Sequence, residues 1–313
     1  MSTQPQAFFQ GKFVPLADAN INIMTHAFNY GTGCFEGIRG YWNEEQEQMY
    51  LFRLREHYQR LLTSGRILGM KSPYGVDELC NLTLDLVRRN GHRADCYIRP
   101  LLYKGSLVVG VRMHNLEDHL TIFSTSLGKY IEAPDGCRCC TSSFRRIDDN
   151  AIPARAKVTG GYVNSALAKT EAQLNGFDEA IMLTNDGHVC EGSGENIFLV
   201  SGGSLLTPAS HDNILVGITR GAVIQIAREE FGISTIERSI DRSELYSADE
   251  SFMTGTAAEI TPVVEVDRRP IGDGKIGSLT RRLQEIFFDA VHGRHPRYAE
   301  WCTPVYVPVG AKS

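Results

Sequence analysis

No stretch of this 313-residue chain is long and apolar enough for a membrane-spanning helix, which needs about 20 apolar residues in succession. The first residues, MSTQPQAFFQGKFVP, lack the basic start and apolar run of a secretory leader, so a cytoplasmic protein is expected. Positive charge is short as well. Lys and Arg number 32 against 37 Asp and Glu, a formal net charge of −5. That balance excludes a protein built to coat nucleic acid or an anionic membrane. No internal repeat, low-complexity tract, phosphate loop of the Walker type or G-x-S-x-G elbow is present.

Eight cysteines occur, but a second C-x-x-C pair does not. The CRCC at 137–140 holds the one such spacing, and a structural zinc site would need a matching pair elsewhere. A thiol–disulfide motif would want a helix to start there, whereas CRCCTSSFRR alternates as a strand does. No metal is expected, and the cysteines read as reduced, small strand residues. Glycines mislead in the same way. GTGCFEG (31–37) is G-x-G-x-x-x-G, one residue too long for a dinucleotide fingerprint, with no clear strand before it and no helical period after it. GSGEN lacks the third glycine.

What is present is an ordinary globular composition, 42% hydrophobic and 22% charged, in a chain long enough for two domains. Helical spacing of apolar residues marks 55–69, 75–91, Tyr162 to about Leu174, 217–232 and 277–293. DCYIRPLLY, DHLTIFSTSL, CRCCTSSFRR and ESFMTGTAAEI read as strands. The Pro-Asp-Gly turn inside YIEAPDGC separates two regions, giving expected domains at 1–131 and 138–313 with a loop at 132–137. The fold class is α+β (mixed α/β).

The chemistry concentrates in four places. In IPARAKVTGGYVNS, Lys157 stands among small and β-branched residues ahead of a Gly-Gly pair. A lysine held in such surroundings shifts its pKa readily and attacks carbonyls, although taken alone a loop lysine beside a glycine turn is the plainer reading. LVGITR (215–220) puts N–H groups and a hydroxyl at a helix start, a ready anion site, and MTGTAAE (253–259) adds hydroxyls and uncrowded N–H groups. CEGSGEN (190–196) isolates Glu191 among small residues. Singly, these are more often caps and turns. Together they are what pyridoxal 5′-phosphate requires: an amine, a carboxylate for the ring nitrogen and a phosphate cradle.

These four blocks resemble the signatures of the class IV, fold-type IV aminotransferases. HAFNYGTGCFEGIRGY, REHYQRL and CYIRPLLY narrow the resemblance to their branched-chain amino acid group, in order and over nearly the whole chain. The resemblance implies a small N-terminal domain, a larger C-terminal one and a cofactor where they meet. It also implies transfer of the amino group of leucine, isoleucine or valine to 2-oxoglutarate through the pyridoxamine form, by a homodimer at least. Lys157 then matches the Schiff-base lysine, Tyr162 the partner of the cofactor's phenolic oxygen and Glu191 the partner of the ring nitrogen. Arg60 matches the phosphate-gripping arginine, with Ile218, Thr219 and Thr256 completing the cradle and Leu215 and Gly194 packing on the ring.

For the substrate, Tyr97 matches a holder of the α-carboxylate and Arg99 the receiver of glutamate's distal carboxylate. Phe35, Gly37, Tyr130 and Tyr162 match apolar walls, and Ala257 lies in the same substrate set. Tyr30 and Val109, in the loop SLVVGV, match parts supplied by a partner subunit. Two positions depart from the pattern: Leu127 replaces a bulky aromatic, and Arg112 stands where relatives carry Asn-Pro. A pocket altered there would widen scope toward larger amino acids or primary amines. The alternatives are an (R)-amine or D-amino-acid transaminase, an aminodeoxychorismate-type lyase, and a non-catalytic protein that binds pyridoxal phosphate.

Overall fold

The computed structural model describes residues 4–306 apart from 129, 130 and 132. The chain divides into two compact units. The first comprises residues 4–128, Ala156–Gly160 and 289–306; the second comprises the described residues of 129–155 and Gly161–Phe288.

In the first unit, seven strands precede residue 128: β1 (Gln6–Phe9), β2 (Lys12–Pro15), β3 (Gly33–Phe35), β4 (Ile38–Asn43), β5 (Gln48–Phe52), β6 (Cys96–Lys104) and β7 (Asp118–Ser126). With Cys302–Pro304 they form an eight-stranded sheet among the described residues. Its order is Cys302–Pro304, β5, β4, β6, β7, β1, β2, and β3 also pairs with β6. Three helices belong to this unit before residue 128: α1 (His26–Tyr30), α2 (Leu54–Ile67) and α3 (Val76–Asn90). The helical periods at 55–69 and 75–91 therefore form as expected. Leu54, Tyr58 and Leu61 of α2 and Leu79, Leu86 and Val87 of α3 are buried with Ile98, Leu102 and Ile122 of the sheet in one core. Each such side chain contributes roughly 1.5–3 kcal/mol by leaving water. At the start of α3, Gly75 N–H donates to the Glu78 carboxylate at 2.8 Å, and Gly91 ends the helix in the left-handed conformation at φ 60°.

The short segment Ala156–Gly160 lies along β3. Phe35 N–H donates to the Lys157 carbonyl (3.1 Å), Thr159 N–H to that of Gly33 (2.9 Å) and Gly160 N–H to that of Gly31 (3.1 Å). The Thr159 hydroxyl also donates to the Gly31 and Gly33 carbonyls, at 2.8 and 2.9 Å. So close an approach needs glycine: a Cβ on Gly31 would sit 2.7 Å from Gly160 Cα, and Gly31 has φ +66°.

The second unit carries β8 (Cys137–Arg145), β9 (Glu179–Leu183), β10 (Val189–Gly192), β11 (Asn196–Ser201), β12 (Ser204–Thr207), β13 (Thr235–Glu237), β14 (Glu250–Gly255), β15 (Glu259–Val266) and β16 (Arg269–Pro270). Their order is β10, β9, β8, β15, β14, β11, β12, β13, with β16 on β15, in a nine-stranded sheet among the described residues. Helix α4 (Tyr162–Leu174) packs on β8 and β9 through Ala168 and Ala172, and α5 (Ile218–Phe231) packs on β13 and β14. Helix α6 (Ser278–Val291) is capped by the Glu250 carboxylate, which accepts from Leu279 N–H (3.0 Å) and Thr280 N–H (2.8 Å). One strand expectation needs correction. ESFMTGTAAEI is two strands, β14 and β15, because Thr256–Ala258 make a turn that Gly255 and Glu259 close as a pair. Glu259, in the pair that closes the turn, adopts a left-handed φ of 55°.

Gly31→Ala should lower stability by about 2 kcal/mol or more, since it combines a left-handed φ with a main-chain clash. Urea unfolding of the purified variant checks this, and a midpoint equal to the parent's would refute the tight approach.

Candidate active site

In the first unit Lys157 is positioned by its own backbone. Its N–H donates to Ser64 Oγ of α2 at 3.2 Å while its carbonyl is held by Phe35 of β3. The Lys157 ammonium lies 5.0 Å from the centroid of the Phe35 ring, and the Arg99 guanidinium lies 4.3 Å from the same centroid. Cation–π contact thus draws both charges to one aromatic. Tyr97 and Arg99 are two apart on β6 and share a face. Arg99 Nε and Nη2 donate to the Tyr97 hydroxyl at 3.1 and 2.7 Å. Gly37 lies beneath that hydroxyl; a Cβ there would come within 2.3 Å of it.

Arg60 of α2 donates from Nε and Nη2 to the two oxygens of Glu36, at 2.7 and 2.8 Å, and His57 Nδ1 donates to Glu36 Oε2 at 2.7 Å. Burial works to raise the Glu36 pKa, but Arg60 and His57 outweigh it and hold the carboxyl well below the usual carboxylate range. Burial lowers the His57 pKa against the pull of Glu36, and the Arg60 and Lys157 charges add to the lowering, so the ring is neutral at pH 7. The Tyr30 hydroxyl accepts from Gly110 N–H at 2.9 Å, beside Val109, which is 84% exposed. Tyr130 lies outside the described residues.

In the second unit, Glu191 on β10 is a buried carboxylate ringed by donors. Arg146 Nη2 stands 2.9 Å from Oε1, while Leu215 N–H (3.1 Å) and Asn196 Nδ2 (3.2 Å) reach Oε2. Burial would lower the Arg146 pKa; Glu191, with Cys190 and Tyr162, turns the net shift upward. Asn196 Nδ2 also donates to the Leu215 carbonyl at 2.8 Å. One amide therefore fixes both the acid and the segment leading to Gly217, the N-cap of α5. A Cβ on Gly217 would come within 2.1 Å of Asn196 Oδ1. Ile218 and Thr219 are the first two residues of α5, where main-chain N–H groups have no acceptor within the helix. Thr256 and Ala257 occupy the turn after β14, the strand on which α5 packs. Tyr162 is the first residue of α4, and Gly194 N–H donates to Glu195 Oε2 at 3.0 Å.

Known proteins point the same way. Residues 33–266 match the family model for amino-transferase class IV. The probable branched-chain-amino-acid aminotransferase of Aquifex aeolicus (strain VF5) is 52% identical to this chain, over 96% of each. The chain belongs to the class IV aminotransferases. Among solved structures, the branched-chain amino acid aminotransferase of Thermobaculum terrenum in its PLP form superposes with a TM-score of 0.93 at 38% identity, covering 98% of this chain and 100% of that one. The T.th. branched-chain amino acid aminotransferase complexed with N-(5′-phosphopyridoxyl)-L-glutamate gives 0.91 at 42%, with the same coverage. The expected branched-chain group and the fold-type IV, mixed α/β architecture of this aminotransferase are borne out.

Sequence reasoning passed over Glu36, His57, Arg146 and Asn196. Glu36 was hidden inside GTGCFEG, weighed only for its glycines. Asn196 ends the very block that supplied Glu191, and the Asn after Glu-Gly-Ser-Gly-Glu was the available signal. Glu195 was passed over too. It is buried beside Glu179, which pairs with Lys169 at 2.5 Å. Burial first, then repulsion from Glu179, pushes the Glu195 pKa up to about 8 from an ordinary 4.5.

A carboxyl whose folded pKa is raised binds its proton in the native state after the unfolded chain has lost it. Stability from this group is therefore intact below the unfolded value and falls, by about 1 kcal/mol per pH unit, as pH climbs from about 4.5 to 8. Glu195→Gln should remove that slope. Its melting temperature relative to the parent should rise between about pH 5 and pH 8; a constant difference would disprove the buried proton.

Proposed function

We propose that this enzyme transfers the amino group of leucine, isoleucine or valine to 2-oxoglutarate in two half-reactions, using pyridoxal 5′-phosphate, in the cytoplasm. The observation that carries the proposal is Glu191, a buried carboxylate fixed by Arg146, Asn196 and Leu215 as an acceptor for a cationic N–H. The chain's near full-length likeness to branched-chain aminotransferases supports the substrate class. The phosphopyridoxyl-glutamate bound to the T.th. protein supports glutamate and its oxo acid as the second pair. All eight cysteines are unpaired and buried, which suits a reducing compartment.

In each unit the side chains have the chemistry that the cofactor requires. Glu191 would receive its ring nitrogen, Tyr162 its phenolic oxygen, and Arg60 with the N–H groups of Ile218, Thr219 and Thr256 its phosphate. Leu215 and Gly194 would pack on the ring. Bound so, pyridoxal phosphate supplies a carbonyl for amines and a protonated ring that accepts electron density as a substrate Cα loses its proton. Lys157 Nζ would hold the cofactor, and as a free amine beside the substrate Cα it would serve as the base and acid for that proton. Glu191 would keep the ring nitrogen protonated, and Arg146 and Asn196 fix the orientation of its carboxylate. The Tyr97 hydroxyl takes the α-carboxylate, Arg99 offers its fork to a distal carboxylate, and Phe35, Gly37 and Ala257 form the apolar wall.

A homodimer at least completes the assignment, with Tyr30 and Val109 serving the partner. Ile23 (78%), Phe28 (65%), Val109 and Val111 (81%) are exposed apolar side chains on two segments joined by His26, whose Nε2 donates to the Gly110 carbonyl at 2.8 Å. So much exposed apolar surface suits a subunit interface. Val109→Asp should shift the sedimentation mass from that of a dimer toward that of one chain; a monomeric parent would end the proposal.

The function is tested by visible spectroscopy of the holoenzyme with L-leucine and no acceptor. The cofactor band should bleach with L-leucine and recover with 2-oxoglutarate. Arg99→Ala should blunt the response to L-glutamate more than that to L-leucine, and Lys157→Ala should leave no cofactor fixed to the protein by borohydride. A band that ignores L-leucine yet answers a D-amino acid or an (R)-amine would overturn the substrate. Pyruvate release without an acceptor would instead mean a lyase, and failure to bind the cofactor would end the catalytic reading.

A further inference from the structure

Glu36 is the most completely enclosed charged group near the candidate site. It has no exposed surface, its N–H donates to the Pro100 carbonyl at 3.0 Å, and its carboxylate is filled by Arg60 and His57, both from α2. Such a carboxylate is not placed to meet a substrate. As a stabilising device it is also a poor choice, because the desolvation of a buried ion pair offsets most of its attraction.

We infer that Glu36 is a positioning residue: it locks the Arg60 guanidinium in one orientation and thereby sets the enzyme's affinity for the phosphate end of its cofactor. The inference rests on the reading of Arg60 as the phosphate anchor. Arginine has a long side chain with many rotamers, and an unsecured guanidinium would lose that freedom each time it met an anion. Here the freedom is lost at folding. Glu36 engages Nε and Nη2 as a fork, so the plane of the guanidinium is set before any phosphate arrives. Ser64, a further turn along α2, holds the Lys157 backbone. One helix thus fixes both the anchor and the amine.

Charge and geometry pull in opposite directions, which makes the inference decidable. Glu36 is an anion beside an anion-binding residue. If its charge mattered more than its grip, Glu36→Gln would tighten phosphate binding. If positioning dominates, the same variant loosens it, because the Gln amide turns an N–H₂ toward donors that need an acceptor. Cofactor-free protein is titrated with pyridoxal phosphate and, separately, with pyridoxal, which lacks the phosphate. For E36Q the Kd for pyridoxal phosphate should rise roughly 10- to 100-fold, as when an outer partner of a ligand-holding side chain is removed. The Kd for pyridoxal, and kcat with L-leucine at saturating cofactor, should stay near the parent's.

Arg60→Ala should weaken pyridoxal phosphate as well, and E36Q added to R60A should cost nothing further. Tighter or unchanged binding by E36Q while R60A weakens it would overturn the inference and spare the anchor. Equal losses for both ligands would overturn it in favour of a general packing role. R60A binding as tightly as the parent would remove the anchor itself and this inference with it. Should E36Q fail to fold, Glu36→Asp keeps the charge one methylene short of the fork. It should show the same phosphate-selective loss, and its absence there would count equally against the inference.

Discussion

The attachment of five residues, Ala156–Gly160, to β3 of the first unit underlies everything proposed for Lys157. A side-chain amine is only as well placed as the peptide that carries it. Bonds on both flanks, from Phe35 and Ser64 on one and from Thr159 and Gly160 on the other, leave Lys157 no latitude in its backbone. Once that peptide is fixed, the aliphatic stem of Lys157 can approach the Phe35 ring, which also receives Arg99. Two cations near one ring would repel in an apolar setting. The aromatic quadrupole softens this, and the Tyr97 hydroxyl takes two of the Arg99 protons.

Each unit then presents one carboxylate whose partners decide its use. Glu36 is closed off: fork and imidazole consume it, and it can only act through Arg60. Glu191 is held from outside by a guanidinium, an amide and a main-chain N–H that fix its orientation. A third carboxyl, Glu195, takes the other course: burial, and then the nearby Glu179, raise its pKa. Glu36 and Glu195 are buried alike and shift in opposite directions, because their neighbours differ.

That contrast explains what could be read in advance. Helices α2 to α6 were legible because apolar spacing at 3.6 residues needs no tertiary information. Lys157 and Glu191 were legible because their sequence blocks, taken together, supply the amine and the acid that one cofactor requires. The hairpin turn at Thr256–Ala258 was not, since Thr-Gly-Thr-Ala-Ala reads as extended unless Glu259 adopts a left-handed conformation, and nothing local announces that. Glu36 was illegible for a deeper reason. Its partners lie 21 and 24 positions onward on one face of α2, and a glutamate beside a glycine is by base rate a solvated residue. The short first helix and the two N-terminal strands left no periodic trace because they are too brief to show one.

The strand Cys302–Pro304 closes the edge of a sheet begun almost three hundred residues earlier, pairing with β5, while Val305 N–H donates to the Met49 carbonyl at 2.9 Å. On the ribosome, the N-terminal unit must therefore wait twice: for residues 156–160 to line β3, and for residues near 305 to cover β5. Until then β5 presents an open, hydrogen-bond-hungry edge to the crowded cell. Assembly of the first unit thus depends on residues more than two hundred positions beyond β5, and the edge stays open while they are made.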